Sequence, residues 1–226
     1  MKNVCVTKLM RQNMKALSQF DPLEFNRDLE NQCGYRDTDA FDVELYHALS
    51  SKYSLPLNRC HLIKSVNGNE IKFSADAWVG VKQLAQISNN TEEWLDLYQS
   101  IQSNLRLRLL WPSHRLPTIN TSRYTYFHDR VDLLLADLQR YFVGWPTLLE
   151  KAYNNRETAI WLKLFESFSD FVQMTQLDWL FDGDRVIDLV NLKPFDMYRD
   201  LDTIRHDHNV NLMRRYVLNS IKLANE

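Results

Sequence analysis

Cys60-His61-Leu62-Ile63-Lys64-Ser65-Val66-Asn67-Gly68-Asn69-Glu70-Ile71-Lys72-Phe73-Ser74 is the stretch that decides the fold class. Two apolar runs, 60–66 and 70–74, read as strands and meet at Asn67-Gly68. Asn-Gly between such runs signals a two-residue hairpin turn, because both central residues must adopt positive φ. Elsewhere the dominant period is that of a helix. The expected class is therefore helix-rich α+β: about six helices with a small antiparallel β-hairpin or sheet.

On the N-terminal side of the hairpin, Asp37-Thr38-Asp39 opens a helix to Leu49, with Phe41, Leu45, Tyr46 and Leu49 on one face and Pro56 as its stop. Residues 1–20 are basic and weakly amphipathic, and suit a short helix or a loosely packed arm. On the C-terminal side, the pattern turns helical from Asp76 through Ile87, and Asn90-Thr91-Glu92-Glu93 reads as the cap of a second helix bearing Trp94, Leu97, Tyr98 and Ile101. Leu105-Arg106-Leu107-Arg108-Leu109 alternates at period two, as a strand with one basic face would.

Pro112 and Pro117 bracket a loop, and a helix is expected over 129–142, burying Val131, Leu134, Leu135 and Leu138. A brief helix should start at Trp145-Pro146. A longer one should run over 157–174 on the stripe Trp161, Leu164, Phe165, Phe168 and Val172. Asp182-Gly183-Asp184 marks a turn before a strand at 186–189, and Asp200 could cap a last helix to about Leu223. With no Pro/Gly/Ser-rich linker and no internal repeat, residues 1–226 read as a single domain.

Composition bounds the function classes. The chain has 226 residues, 45% hydrophobic and 25% charged, so a substantial core is available. Its net charge of −2 speaks against broad, non-specific nucleic-acid binding. Five glycines leave little scope for Gly-rich phosphate loops. Cys5, Cys33 and Cys60 are odd in number and widely spaced, which fits a reduced compartment. The basic start without an apolar run, and the lack of any long apolar stretch, lead us to expect a cytoplasmic protein.

Between Tyr98 and His128 there is no Asp, Glu or Lys, but there are Arg106, Arg108, Arg115, Arg123, His114 and His128. The run ends at Asp129-Arg130-Val131-Asp132. Guanidinium groups present a planar fork matched to carboxylate or phosphate. Arg115 and Arg123 on a loop, with His114 and Asn120, could cradle an anion against the start of the 129–142 helix. Asp129 or Asp132 could orient an Arg, hold a metal or act as a base. The competing expectation is that Arg123, Arg130, Asp129 and Asp132 pair with one another to tie an irregular loop to the helix. His47 is a further pocket candidate, since an imidazole can exchange protons near neutral pH.

Other constellations carry less. His206-Asp207-His208 falls in a region read as helical, where residues two apart point to different sides, so no metal site is expected. Asp182-Gly183-Asp184 with Asp188 lacks the later Gly and distant Glu of a calcium loop. No G-x-S-x-G elbow and no zinc spacing occurs, and no cofactor is implied.

Several motifs resemble a group of uncharacterised bacterial proteins, a domain of unknown function. Tyr46-His47-Ala48-Leu49, continuing through Lys52 to Leu55-Pro56, is similar to the group's Tyr-His…Leu-Pro signature. Thr118-Ile119-Asn120 with Arg123 resembles its Thr-Ile-Asn-x-x-Arg block, and Asp129-Arg130-x-Asp132-Leu133 its Asp-Arg-x-Asp-Leu helix. The resemblance implies a bacterial, cytoplasmic setting and brings no activity.

Three functions follow as expectations. The first is a non-catalytic interaction protein, because no catalytic constellation is visible. The second is a binding protein or enzyme for a small anionic ligand, a nucleotide or phosphate ester, at the 112–132 Arg/Asn/Asp segment. The third is local nucleic-acid binding through the Arg run. The residues leave open whether the chain is an enzyme.

Overall fold

The structure, a computed structural model, describes residues 57–58, 61–66, 68–88, 93, 96–97, 100–101, 104–113, 116–196, 201 and 206–226. The helix expected over 37–49, the N-terminal arm and His47 lie outside the described residues, as do His114 and Arg115. The chain divides into two compact units, Met1–Leu110 and Trp111–Glu226.

Strands β1 (Leu57–Asn58), β2 (His61–Val66) and β3 (Asn69–Ala77) form antiparallel neighbours, with β4 (Arg108–Pro112) next to β3 in a four-stranded sheet. The β2–β3 register pairs Val66 with Asn69, leaving the two-residue turn expected at Asn67-Gly68. Gly68 has φ 76°, which a Cβ would oppose. Ile71 and Phe73 point inward from β3 while Glu70 and Lys72 are exposed, as period two requires.

Strand β3 runs on to Ala77, so the helix expected from Asp76 starts later, as α1 (Val81–Ser88). Trp78 is buried in the intervening bend, and its backbone N–H donates to the Leu107 carbonyl at 3.2 Å. The strand expected at 105–109 is split. Leu105–Leu107 forms a 3₁₀ turn capped by the Asn104 side chain, and only Arg108 onward is extended. Arg108 is fully buried there, so it shows no basic face.

The second unit is organised on α3 (Val131–Phe142), whose Leu133, Leu134, Leu135 and Leu138 are all buried. It is preceded by α2 (Ile119–Phe127) and followed by α4 (Glu150–Tyr153), α5 (Arg156–Leu162) and α6 (Phe168–Thr175). Strands β5 (Phe181–Asp182), β6 (Arg185–Asp188) and β7 (Lys193–Pro194) make a small antiparallel sheet, and α7 (Val210–Asn225) ends the chain. The α+β class is thus as expected, with seven α-helices among the described residues.

Four boundaries differ from expectation. The segment read as a loop between Pro117 and Asp129 is largely helix α2, capped by Thr118, whose Oγ1 accepts from the Thr121 N–H at 3.1 Å. The helix expected from Trp145 begins at Glu150. The single helix expected over 157–174 is two, α5 and α6, broken at 163–167. Ser167 caps α6 by accepting from the Asp170 N–H at 3.1 Å, and the Asp170 carboxylate accepts from the Glu166 N–H at 3.0 Å. That reciprocal pairing stops one helix and starts the next. Leu164, expected in the buried stripe, is exposed as a result. Finally, the last helix begins at Val210, capped by Asn209, so His208 lies outside it.

Trp111, Trp161, Phe165, Phe168 and Phe171 form one aromatic cluster, with Trp111 edge-on to Trp161 at 5.5 Å and Phe171 stacked on Phe168 at 6.0 Å. Such pairs each contribute roughly 0.5–1.5 kcal/mol beyond the area they bury.

Candidate functional site

The end of α2 is where the acid-free run meets its first carboxylates. His128 and Asp129 are consecutive residues in the left-handed region, at φ 49° and 68°. Asp and His tolerate that region better than most side chains, yet two in a row carry strain of roughly 1–3 kcal/mol each. The compensation is local. The backbone N–H groups of both residues donate to the Arg123 carbonyl, and the Arg123 guanidinium reaches Asp129 Oδ1 at 2.6 Å. Arg123 therefore holds the turn with both its backbone and its side chain. Both members of the ion pair are buried, at 1% and 4% exposure.

A second ion-pair group begins one residue later. Arg130 donates from Nε to Asp132 Oδ1 at 3.0 Å and from Nη2 to Asp132 Oδ2 at 2.6 Å, a bidentate fork. The same Nη2 donates to Asp188 Oδ1, on β6, at 2.9 Å. Asp132 also accepts from the N–H groups of Leu133 and Leu189 at 3.0 and 2.9 Å. Asp188 accepts from the Val190 N–H and the Asn191 amide at 2.9 and 2.7 Å. Asp132 and Asp188 together hold Arg130 above the usual arginine range, although burial opposes its charge.

Helix α7 closes the group. Tyr216 Oη accepts from the Val131 N–H at 3.0 Å, and the Arg130 guanidinium lies 5.8 Å from the centre of its ring. Burial, with Asp132 and Asp129 nearby, pushes the Tyr216 hydroxyl up, while Arg123 acts the other way. The hydroxyl thus feels both ion pairs. Asn219, further along α7, donates to the Leu189 carbonyl at 2.6 Å. Ahead of the helix, the His208 ring stacks on His128 at 3.8 Å, with the planes 2° apart.

Of the candidate residues, the structure brings Arg123 to Asp129 and Arg130 to Asp132. Arg123 and Asn120 sit on a helix rather than the expected loop. Asn120 is half-buried, and its Oδ1 is enclosed with no hydrogen-bond partner among the described residues. Asp188, Tyr216 and His208 complete the cluster from distant segments. An aspartate at 188, just before the apolar pair Leu189-Val190, was the one visible signal for the first; nothing local marks Tyr216.

A second buried carboxylate, Asp137, serves the loop before α4. It accepts from the N–H groups of Leu148 and Leu149 at 2.8 and 3.1 Å and from the Tyr153 hydroxyl at 2.9 Å. Burial raises its pKa, and those donors pull the other way. Burial and the adjacent Asp137 carry the Tyr153 hydroxyl well above its ordinary range, so it stays a donor.

Among the described residues no group of three or more His, Cys, Asp or Glu is placed to hold a metal, and no helix is long and apolar enough to cross a membrane. A family of unknown function, DUF6994, matches residues 25–226. The chain belongs to that family. No curated protein and no solved structure matches it.

Proposed function

We propose that this member of the family is a non-catalytic interaction protein that works by presenting α2 to a protein partner in the bacterial cytoplasm. One observation carries the reading. Helix α2 buries Ile119, Ser122, Arg123 and Phe127 and exposes Tyr124 and Tyr126, at 54% and 38%, with Leu116 just ahead of it at 72%. Exposed side chains such as Leu116 and Tyr124 offer apolar area that a partner would remove from water. Tyrosines are also enriched where partners anchor. The charged groups that could have done chemistry, Arg123, Asp129, Arg130 and Asp132, are engaged in buried pairs within the fold.

The test is affinity purification of the full chain at native abundance, followed by titration calorimetry with the purified partner. Tyr124→Ser with Tyr126→Ser should weaken binding at least tenfold, about 1.4 kcal/mol. An unchanged affinity refutes the reading.

A second reading, a site for a nucleotide or phosphate ester along 112–132, is favoured by Asn120 alone. Its enclosed Oδ1 wants a donor, which a sugar hydroxyl supplies. In that reading Asn120 and the start of α2 would face the anion. A thermal-shift series against nucleotides and sugar phosphates separates the two. A bound ester at about 100 times its Kd adds roughly 2.7 kcal/mol of stability. Nucleic acid draws less support, since Arg108 is buried and Arg106 half-buried.

A further inference from the structure

His128 and His208 come from widely separated parts of the second unit, and their rings lie face to face at 3.8 Å. Each is fixed by its own backbone. His128 is the left-handed cap of α2, with φ 49° and ψ 41°. His208 precedes Asn209, whose side chain caps α7 by accepting from the Leu212 N–H at 3.1 Å. The ring pair therefore ties the start of α7 to the turn between α2 and α3. Further along α7 the hold is of another kind: Tyr216 on the Val131 N–H, and Asn219 on the Leu189 carbonyl. Only the first of these fastenings is built from two imidazoles, a side chain whose ordinary pKa lies near neutral pH.

Two neutral imidazoles can lie face to face without like charges meeting, although 3.8 Å is closer than the offset or edge-on contacts most aromatic pairs adopt. Two imidazolium rings would bring like charges to 3.8 Å, where they repel. We infer that the His128–His208 stack is a proton-operated fastening, which holds the start of α7 on the α2–α3 turn near neutral pH and releases it on acidification.

The surrounding charges fit. Arg130, held by Asp132 on α3 and Asp188 on β6, is a positive charge that acts on His208. Asp129 behind His128 is taken up by Arg123. His206, Asp207 and His208 itself are all exposed to solvent. On α7 the Tyr216 phenol, pushed up by its burial, stays neutral. Partial burial first, then His128 and Arg130, lower the His208 pKa below its ordinary 6.5. The sign follows. The folded value lies below the unfolded one, so the stabilisation is whole above about pH 6.5 and is lost as pH falls through the folded value.

Hydrogen exchange of the full chain at pH 7.5 and 5.0, corrected for intrinsic rates, reads the fastening at the Leu212 and Met213 amides, the first bonded N–H groups of α7. We expect exchange there to quicken at least tenfold at pH 5.0. His208→Phe keeps a flat ring without a proton site, and His128→Asn keeps a side chain that accepts the left-handed backbone. In either variant the acid response should fall below twofold. Equal protection of the native chain at both pH values overturns the inference. So does a tenfold acid response that survives in whichever variant folds at pH 7.5.

Discussion

Replacing Asp132 with alanine would remove four hydrogen bonds at once: the two to Arg130 and those from the Leu133 and Leu189 N–H groups. Asp132 is completely buried, and its main partner Arg130 is nearly so. Arg130 keeps one contact, to Asp188, but its Nε loses its acceptor. Breaking a buried pair by removing one member typically costs about 3–5 kcal/mol, because the remaining charge is left without compensation. The stranded Leu189 N–H alone would account for about 1–3 kcal/mol, and the two terms overlap rather than add. We expect a loss of about 3–5 kcal/mol. Urea unfolding followed by tryptophan fluorescence measures it, since Trp111, Trp145, Trp161 and Trp179 all lie in the second unit. The double variant Arg130→Met with Asp132→Leu should recover part of the loss, giving a coupling of about 1–3 kcal/mol. A loss under about 1 kcal/mol for Asp132→Ala, the scale of an exposed pair, would refute the account of this network as buried and interdependent.

Asp129→Asn keeps a side chain suited to positive φ but removes the charge that answers the buried Arg123 guanidinium, so a loss of about 2–4 kcal/mol is expected in the same assay. Asp137 has a folded pKa above its unfolded value. Its contribution is therefore complete below about pH 3.8 and falls as pH rises through the folded value. Asp137→Asn should remove that decline, and urea melts at pH 4 and pH 6 would detect it as a smaller difference between the two. Ser167→Ala removes the α6 cap and should lower stability by about 1 kcal/mol, visible as a small fall in Tm.

The hairpin at 61–77 was legible because its turn chemistry is local: only Asn67-Gly68 and the alternation on either side are needed. Helix α3 was legible for a similar reason, its apolar positions being dense enough to set a period. Helix α2 was missed because its inner face is Ile119, Ser122, Arg123 and Phe127, a pattern with no apolar period. What made it a helix is Thr118 at its cap and the Arg123–Asp129 pair at its end, and the second is a tertiary fact. The break at 163–167 had a local signal in Ser167-x-x-Asp170, which the strong aromatic stripe on both sides outweighed. Among the site residues, the pairing of Arg123 and Arg130 with neighbouring aspartates was one of two readings open from spacing alone. Tyr216 and His208 reach the turn only through the course of the last helix, which no window of residues contains.

Tyr216 belongs to the last helix of the chain, yet it supplies the acceptor for Val131, the first residue of the helix at the centre of its unit. During synthesis that N–H emerges long before its acceptor does. The middle of the molecule must wait, incompletely capped, until translation has delivered residues 210–225. A ribosome stalled short of them would hold a nascent chain whose central helix has no phenol to finish it.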